Sequence, residues 1–173
     1  MATAIVSIFC IVLIVLGGMT MSQGLASSAD TAALSVEQIS VREGEIMRTE
    51  LNTLRAEPLS WADLLRVRVD NGGQTKLAGF DKWDFFVNYY DGDGTYRTEW
   101  LPYTDGAPGD NEWQKATIWL NGQPEFFEPG MLNPQEELVI LAKLGPLPGD
   151  DTTGDVTVAT PNGIYNSFSF NSP

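Results

Sequence analysis

The pattern of apolar and polar positions changes twice along the chain, and each change marks a new element. From Met1 to Ala29 no residue is charged, and the run from Ile5 to Leu16, broken only by Ser7, is apolar around the full circumference of a helix. A helix without a polar face must be buried on every side. About 20 residues at about 1.5 Å each span about 30 Å, the hydrocarbon thickness of a bilayer. Beyond Asp30 the pattern becomes amphipathic: Val36, Ile39 or Ser40, Glu43, Met47, Leu51 and Leu54 fall at helical steps, with Glu37, Gln38, Arg42 and Glu45 between them. The helix is expected to continue to about Arg48, a length of about 70 Å. Gly44 weakens it locally by about 1 kcal/mol relative to Ala.

From Thr49 onward the period is two. Leu65, Val67 and Val69 alternate with Arg66, Arg68 and Asp70, and Trp83, Phe85, Val87 and Tyr89 with Asp84, Phe86, Asn88 and Tyr90, as half-buried strands do. Further strands are expected at 50–56, 95–101, 114–120, 138–144, 156–160 and 165–170. Asn71-Gly72-Gly73, Asp91-Gly92-Asp93-Gly94, Asn121-Gly122 and Asn162-Gly163 suit tight hairpins, because Asn, Asp and Gly tolerate positive φ. Seven or eight short strands with such turns predict an immunoglobulin-like antiparallel β-sandwich. The fold class is therefore α+β, with a helix over 1–48 and a sandwich head over 49–173. Leu138 to Leu144 is apolar on both faces, which fits either a central strand covered on both sides or one packed on a neighbouring subunit. Residues 128–134, with two prolines and a glycine, are expected to be an ordinary loop.

Composition narrows the chemistry. With 10 Lys and Arg against 23 Asp and Glu, the formal net charge is −13, so a phosphate backbone is repelled and nucleic acid is excluded as a partner. There is no histidine, and the single cysteine, Cys10, lies inside the apolar run. That removes Ser-His-Asp and Cys-His catalysis, histidine-containing zinc sites and any intramolecular disulfide. Phe9 stands where a lipoprotein signal carries a small residue, so Cys10 is expected to be an inert buried thiol.

Asp91 and Asp93 are candidate calcium ligands, since closely spaced carboxylates on a bent loop supply hard oxygens. They lack the spacing and distal glutamate of an EF-hand loop, and a plain hairpin is the preferred reading; the acidic loop 149–155 is treated likewise. No other metal or cofactor is expected. Trp61, Trp83, Trp100, Trp113 and Trp119, with Tyr89, Tyr90, Tyr96 and Tyr103, offer either a sugar-binding face or, by preference, core and subunit contacts. Asp81 and Asp84, three apart, are expected on opposite strand faces and so make no acid/base pair. The chain is not expected to be an enzyme.

The first basic residue is Arg42, whereas a signal peptide or a simple anchor carries basic residues on its cytoplasmic flank. A leader is therefore expected to have been removed already, with Met1 the first residue of the mature chain; cleavage near Leu25-Ala26-Ser27 is the alternative. Gly17, Gly18, Gly24, Ala26, Ser27, Ser28, Ala29, Ala32 and Ala33, beside the flexible Met19 and Met21, let helix backbones approach closely, although membrane helices also tolerate such residues for no further reason.

This layout resembles the archaellin and type IV pilin superfamily. Val67 to Leu77, Phe80 to Asp84, Pro129 to Glu136 and Val158 to Gly163 are similar to the sandwich domains of archaellins and of archaellum accessory proteins. The resemblance implies a motility filament of identical subunits, an archaellum, with helices bundled in its core and heads outside. It also implies residence in the cytoplasmic membrane before assembly, a prepilin-type peptidase and an assembly platform. On this reading the filament-core residues are Ile5, Ile8, Phe9, Ile11, Val12, Leu13, Val15, Leu16 and Met19. Pilins usually carry glutamate at the fifth mature position; Ile5 favours the archaellin side. No Asn-x-Ser/Thr sequon occurs, so N-glycan at that signal is not expected. An archaellum accessory protein, or a surface adhesion module on a single anchor, has the same layout.

Overall fold

The computed structural model describes residues 2–59 and 63–173, with the side chains of 2–5, 25, 26 and 29 outside that description. Two compact units divide the chain at Gly44 and Glu45. The first is helical: α1 runs over Ala2–Met47, so Gly44 does not break it, and its last residues belong to the second unit. Leu51 and Leu54, which continue the helical spacing in sequence, lie instead on a strand.

The second unit is the head. Among the described residues it contains β1 (Leu51–Leu59), β2 (Leu64–Asn71), β3 (Leu77–Ala78), β4 (Asp84–Tyr90), β5 (Tyr96–Leu101), β6 (Glu112–Leu120), β7 (Gln123–Pro124), β8 (Met131–Leu132), β9 (Glu137–Lys143), β10 (Thr153–Ala159) and β11 (Tyr165–Asn171), with a 3₁₀ turn at Phe80–Lys82. One sheet has the order β1-β2-β9-β6-β7, the other β11-β10-β4-β5, and β3 pairs with β8 apart from both. All pairings between these strands are antiparallel. The architecture is the expected α+β sandwich.

Alternation puts one apolar row of each strand inside. Val67 and Val69 of β2, Leu138, Ile140 and Ala142 of β9 and Trp113 of β6 face Phe85, Val87 and Tyr89 of β4, Leu101 of β5 and Val156 and Val158 of β10, all of them at most 1% exposed. Trp113 is the hinge pin of this layer: Phe85 stacks on it at 5.7 Å and Tyr103 meets it edge-on at 4.9 Å. Such offset and edge contacts contribute about 0.5–1.5 kcal/mol each beyond the area they bury.

The doubly apolar strand is central. On β9, Leu138, Ile140 and Ala142 enter the core, while Val139 and Leu141 face outward beside Arg68 and Arg66 of β2. Val139 is nonetheless 7% exposed. Long arginine side chains cover apolar neighbours with their stems while their heads stay wet, and these two heads are held over the sheet by Glu57 and Glu137. Two further expectations are corrected. Residues 128–134 are not only loop, because Met131–Leu132 forms β8 and Leu132 is fully buried. Asp81 sits on the 3₁₀ turn rather than on a strand with Asp84.

Ile140→Ala should destabilise the chain by about 2–5 kcal/mol, the usual cost of emptying a close-packed aliphatic site. Tryptophan fluorescence during urea unfolding of the detergent-solubilised full chain measures this, with Leu141→Ala expected to cost less because it faces outward.

Candidate assembly helix and its seat in the head

Along α1 the residues expected to build a filament core keep their apolar surface uncovered. Ile8, Phe9, Ile11, Val12, Leu13, Val15, Leu16 and Met19 are between 49% and 68% exposed; the Ile5 side chain lies outside the described residues. The stretch Val6–Gly24 is long and apolar enough to cross a membrane. Cys10 is exposed with them, so the inert burial expected for its thiol is not met within this single chain. Four hydroxyls farther along are satisfied inside the helix: Thr20 donates to Gly17 O, Ser28 to Gly24 O, Thr31 to Ser27 O and Ser35 to Thr31 O, at 2.8–3.0 Å. A helix that back-bonds its hydroxyls presents these positions to lipid or to another helix without stranding a polar group. Nothing stands within 4 Å of where a Cβ would sit on Gly17, Gly18 or Gly24, leaving backbone open to close approach.

The end of the helix is built into the head by two loops. Arg48 O accepts the backbone N–H of Gln74 at 2.7 Å and of Thr75 at 3.3 Å, and Glu50 O accepts that of Gly72 at 3.1 Å. These carbonyls lie just past the helix, whose own Glu45 O and Ile46 O, among those a C-terminus leaves open, are taken by Arg48 N and Thr49 N. The loop must come very close to reach Arg48 and Glu50: a Cβ on Gly73 would stand 2.4 Å from Arg48 O and 2.6 Å from Glu50 N. Asn71, fully buried, holds the loop's base by donating from Nδ2 to Thr75 O and Leu132 O and accepting from Gly73 N. The Asn71-Gly72-Gly73 signal is thus a clamp and not a hairpin, since β2 pairs with β1 and β9 and not with β3. From the other side Asn162 donates to Thr49 Oγ1 at 2.9 Å, and that hydroxyl donates to Glu45 O at 2.8 Å. Asn166 reaches Leu51 O.

The other three turn signals do form hairpins. Asn121 and Gly122 both take positive φ, 52° and 77°, between β6 and β7, as a two-residue turn requires. Asn162-Gly163 joins β10 to β11, and Asp91 to Gly94 joins β4 to β5. The Asp91 carboxylate is 3% exposed as a residue and its acceptor capacity is spent locally. It accepts from Asp93 N and Thr95 N at 3.1 and 2.8 Å and from Arg97 Nε at 2.8 Å. The Thr95 N–H first, and then the Arg97 guanidinium, hold its pKa below the ordinary carboxylate range. A carboxylate closed off by its own loop and a guanidinium is a turn lock, not a pair with Asp93 opened toward a calcium ion. Among the described residues no group of three Asp, Glu or Cys side chains is placed to hold a metal.

The aromatic residues divide. Trp83, Trp113 and Tyr89 are core, and Tyr89 donates to Pro146 O at 2.7 Å with burial pushing its hydroxyl up to about 12. Trp100, Tyr90 and Tyr96 are about half exposed on the outer face of β4 and β5, and Trp61 lies outside the described residues. One exposed aromatic pair that sequence reasoning passed over, Phe126-Phe127, follows β7 and is 84% and 94% exposed. Only the alternation of a long strand signals exposure from sequence, and this pair sits in a loop.

With the geometry in hand, three solved structures share the architecture. The archaeal flagellum of Methanospirillum hungatei aligns over 94% of this chain and 89% of its own, at 9% identity and a TM-score of 0.58. Archaeal flagellin FlaB1 from Methanocaldococcus jannaschii aligns over 72% of this chain and 90% of its own, at 12% identity and 0.52. The archaellum periplasmic stator protein FlaG from Sulfolobus acidocaldarius aligns over 70% of this chain and 99% of its own, at 17% identity and 0.50. Identities this low establish a common, archaellin-like fold. No protein-family model matches the chain, and no curated protein matches it in sequence.

Two outcomes follow from the seat and the turn lock. Gly73→Ala should destabilise the full chain by about 1–3 kcal/mol, the cost of forcing a methyl into occupied space; Gly92→Ala, whose Cβ would meet nothing within 4 Å, is the control in the same urea titration. Because Asp91 has a lower pKa folded than unfolded, its contribution is complete above about pH 4 and is lost as pH falls through the folded value. The urea midpoint should therefore drop less steeply below pH 4 in Asp91→Asn than in the parent chain.

Proposed function

We propose that this chain is a structural, non-catalytic subunit of an archaellum-like extracellular filament serving motility, with helices bundled in the core and heads facing solvent. The observation that carries this reading is the uncovered apolar surface of Ile8 to Met19 on α1, beside a head whose own apolar strand rows are closed in its core. In the membrane that surface meets lipid; in a filament it meets other helices. Lipid tails are as apolar as leucine, so transfer between the two is driven by packing, and the open backbone at Gly17, Gly18 and Gly24 supplies the close approach that packing rewards. A prepilin-type peptidase and a membrane assembly platform complete the pathway. The alignment with a whole archaeal flagellum over 94% of the chain supports filament membership, since a match of that length takes in helix as well as head. The second reading, an accessory subunit of the same machine, is favoured by the match that spans 99% of the stator protein FlaG.

Leu13→Asp places a carboxylate where the helix is apolar all round, at a cost of about 3 kcal/mol in a bilayer centre, and should abolish filaments, whereas the volume-conserving Leu13→Met should retain them. Electron microscopy of sheared surface filaments with mass spectrometry of the main band reads the outcome. Normal filaments from the Asp variant would sink the helix-bundle mechanism, and a main band lacking this chain would move it to the accessory role.

A further inference from the structure

The head carries a knob and a hole that cannot meet within one chain. The knob is Phe126-Phe127. Its loop is tied at the base: Glu125 N donates to Ile118 O at 2.8 Å, Lys115 Nζ to Pro129 O at 2.7 Å and Met131 N to Glu128 O at 3.0 Å, and Lys76 pairs with Glu128. Glu125 also accepts from Phe127 N. The loop is thus held in shape while its two rings stand in solvent, and apolar surface of this kind gains from being removed from water.

The hole is a cavity of ≈ 170 Å³ walled by Leu59, Leu64, Leu144, Leu147, Pro148 and Phe170, with Asp63 and Asp150 among its other lining residues. An apolar cavity of about 150 Å³ stays dry and accepts benzene, so this one has room for a single phenyl ring. Strand register fixes the separation of the two features. The knob follows β7, at one edge of the five-stranded sheet and level with Ile118 and Leu138, at the start of β9. The hole opens past the end of β9 and beside the paired Leu59 and Leu64 of β1 and β2, nearer the opposite edge. Six residues of β9 at about 3.3 Å, and three strand spacings of about 4.8 Å, put them on the order of 25 Å apart on a diagonal.

We infer that a phenylalanine of this pair, Phe127 foremost, enters the Leu64/Leu144/Leu147 hole of a second copy, giving a head-to-tail contact between heads. A contact joining two different patches of one molecule propagates, closing into a ring or running on as a helix, and this is the polarity a filament of identical subunits needs. The inference rests on the filament reading for that context only. Electrostatics work against the contact, since Glu125 and Glu128 approach Asp63 and Asp150 on a chain of net charge −13. Apolar insertion between like-charged surfaces strengthens as salt screens them, whereas a cationic partner would be released by salt.

The test replaces Phe127 with a photoreactive benzophenone side chain in the full-length chain on cells, followed by irradiation at low and high salt. Products at two, three and more chain masses, with adducts mapped to the hole residues and yields rising with salt, are expected. Phe126→Ser with Leu147→Asp in that chain should cut the yield by about 30-fold, the size of one aromatic hot spot. Adducts to another protein, to lipid or to other surfaces of this chain, or none at all, overturn the inference. Filaments containing this chain but giving no hole adducts overturn it while leaving the filament reading intact. A ladder with hole adducts on cells without filaments keeps the head contact and removes the filament reading.

Discussion

An α-helix that is apolar on every side has nowhere to rest in water, and this constraint orders the rest of the molecule. Residues 6–24 gain nothing from the chain that carries them, since their side chains from Val6 to Met19 remain largely exposed. The segment is stable only in surroundings supplied from outside: on the proposed function, first lipid and then copies of itself. The head has the reverse character. Its alternating strands close on Trp113, Phe85 and Ile140, and its charged residues are spent at its surface, as where Glu57 and Glu137 hold arginines over Val139 and Leu141.

Between these two characters lies a short stretch, Glu45 to Leu51, in which helix becomes strand. The chemistry there is largely polar: Arg48 O and Glu50 O have partners from loop 71–75, the Thr49 hydroxyl from Asn162 and Leu51 O from Asn166 of β11. Apolar packing tolerates sliding, whereas directed hydrogen bonds from Gly72, Gln74 and Thr75, on a loop that the buried Asn71 holds in shape, fix where the chain leaves the helix.

Sequence period carried most of the fold. Among the described residues, the eight strands longer than two residues coincide with stretches of alternation or, for β9, with a continuous apolar run, and α1 ends one residue short of Arg48. What failed had no period to carry it. A two-residue strand such as β8 has no alternation, so Leu132 passed for loop. Asn71-Gly72-Gly73 was open to misreading because glycine serves both positive φ and close approach, and only Arg48 and Glu50, distant in sequence, decide between them. The apolar character of α1 from Ile8 to Met19 is legible in the sequence. The Phe126-Phe127 knob is not, because nothing local distinguishes an aromatic pair aimed at solvent from one aimed at the core. The half-exposed Trp100 and the buried Trp113 look alike in sequence for the same reason.

The β1–β2 pairing has a mechanical consequence. Thr49 feeds directly into β1, whose cross-strand bonds to β2 run from Leu51 opposite Asn71 to Leu59 opposite Leu64. Those bonds lie across the strand, so tension directed along β1 loads the whole row at once, in shear, instead of opening it one bond at a time. The bulge between Thr53 and Arg55 interrupts that row and marks where it would first yield. Pull applied to the chain where it enters β1 would thus draw on the strength of an entire strand.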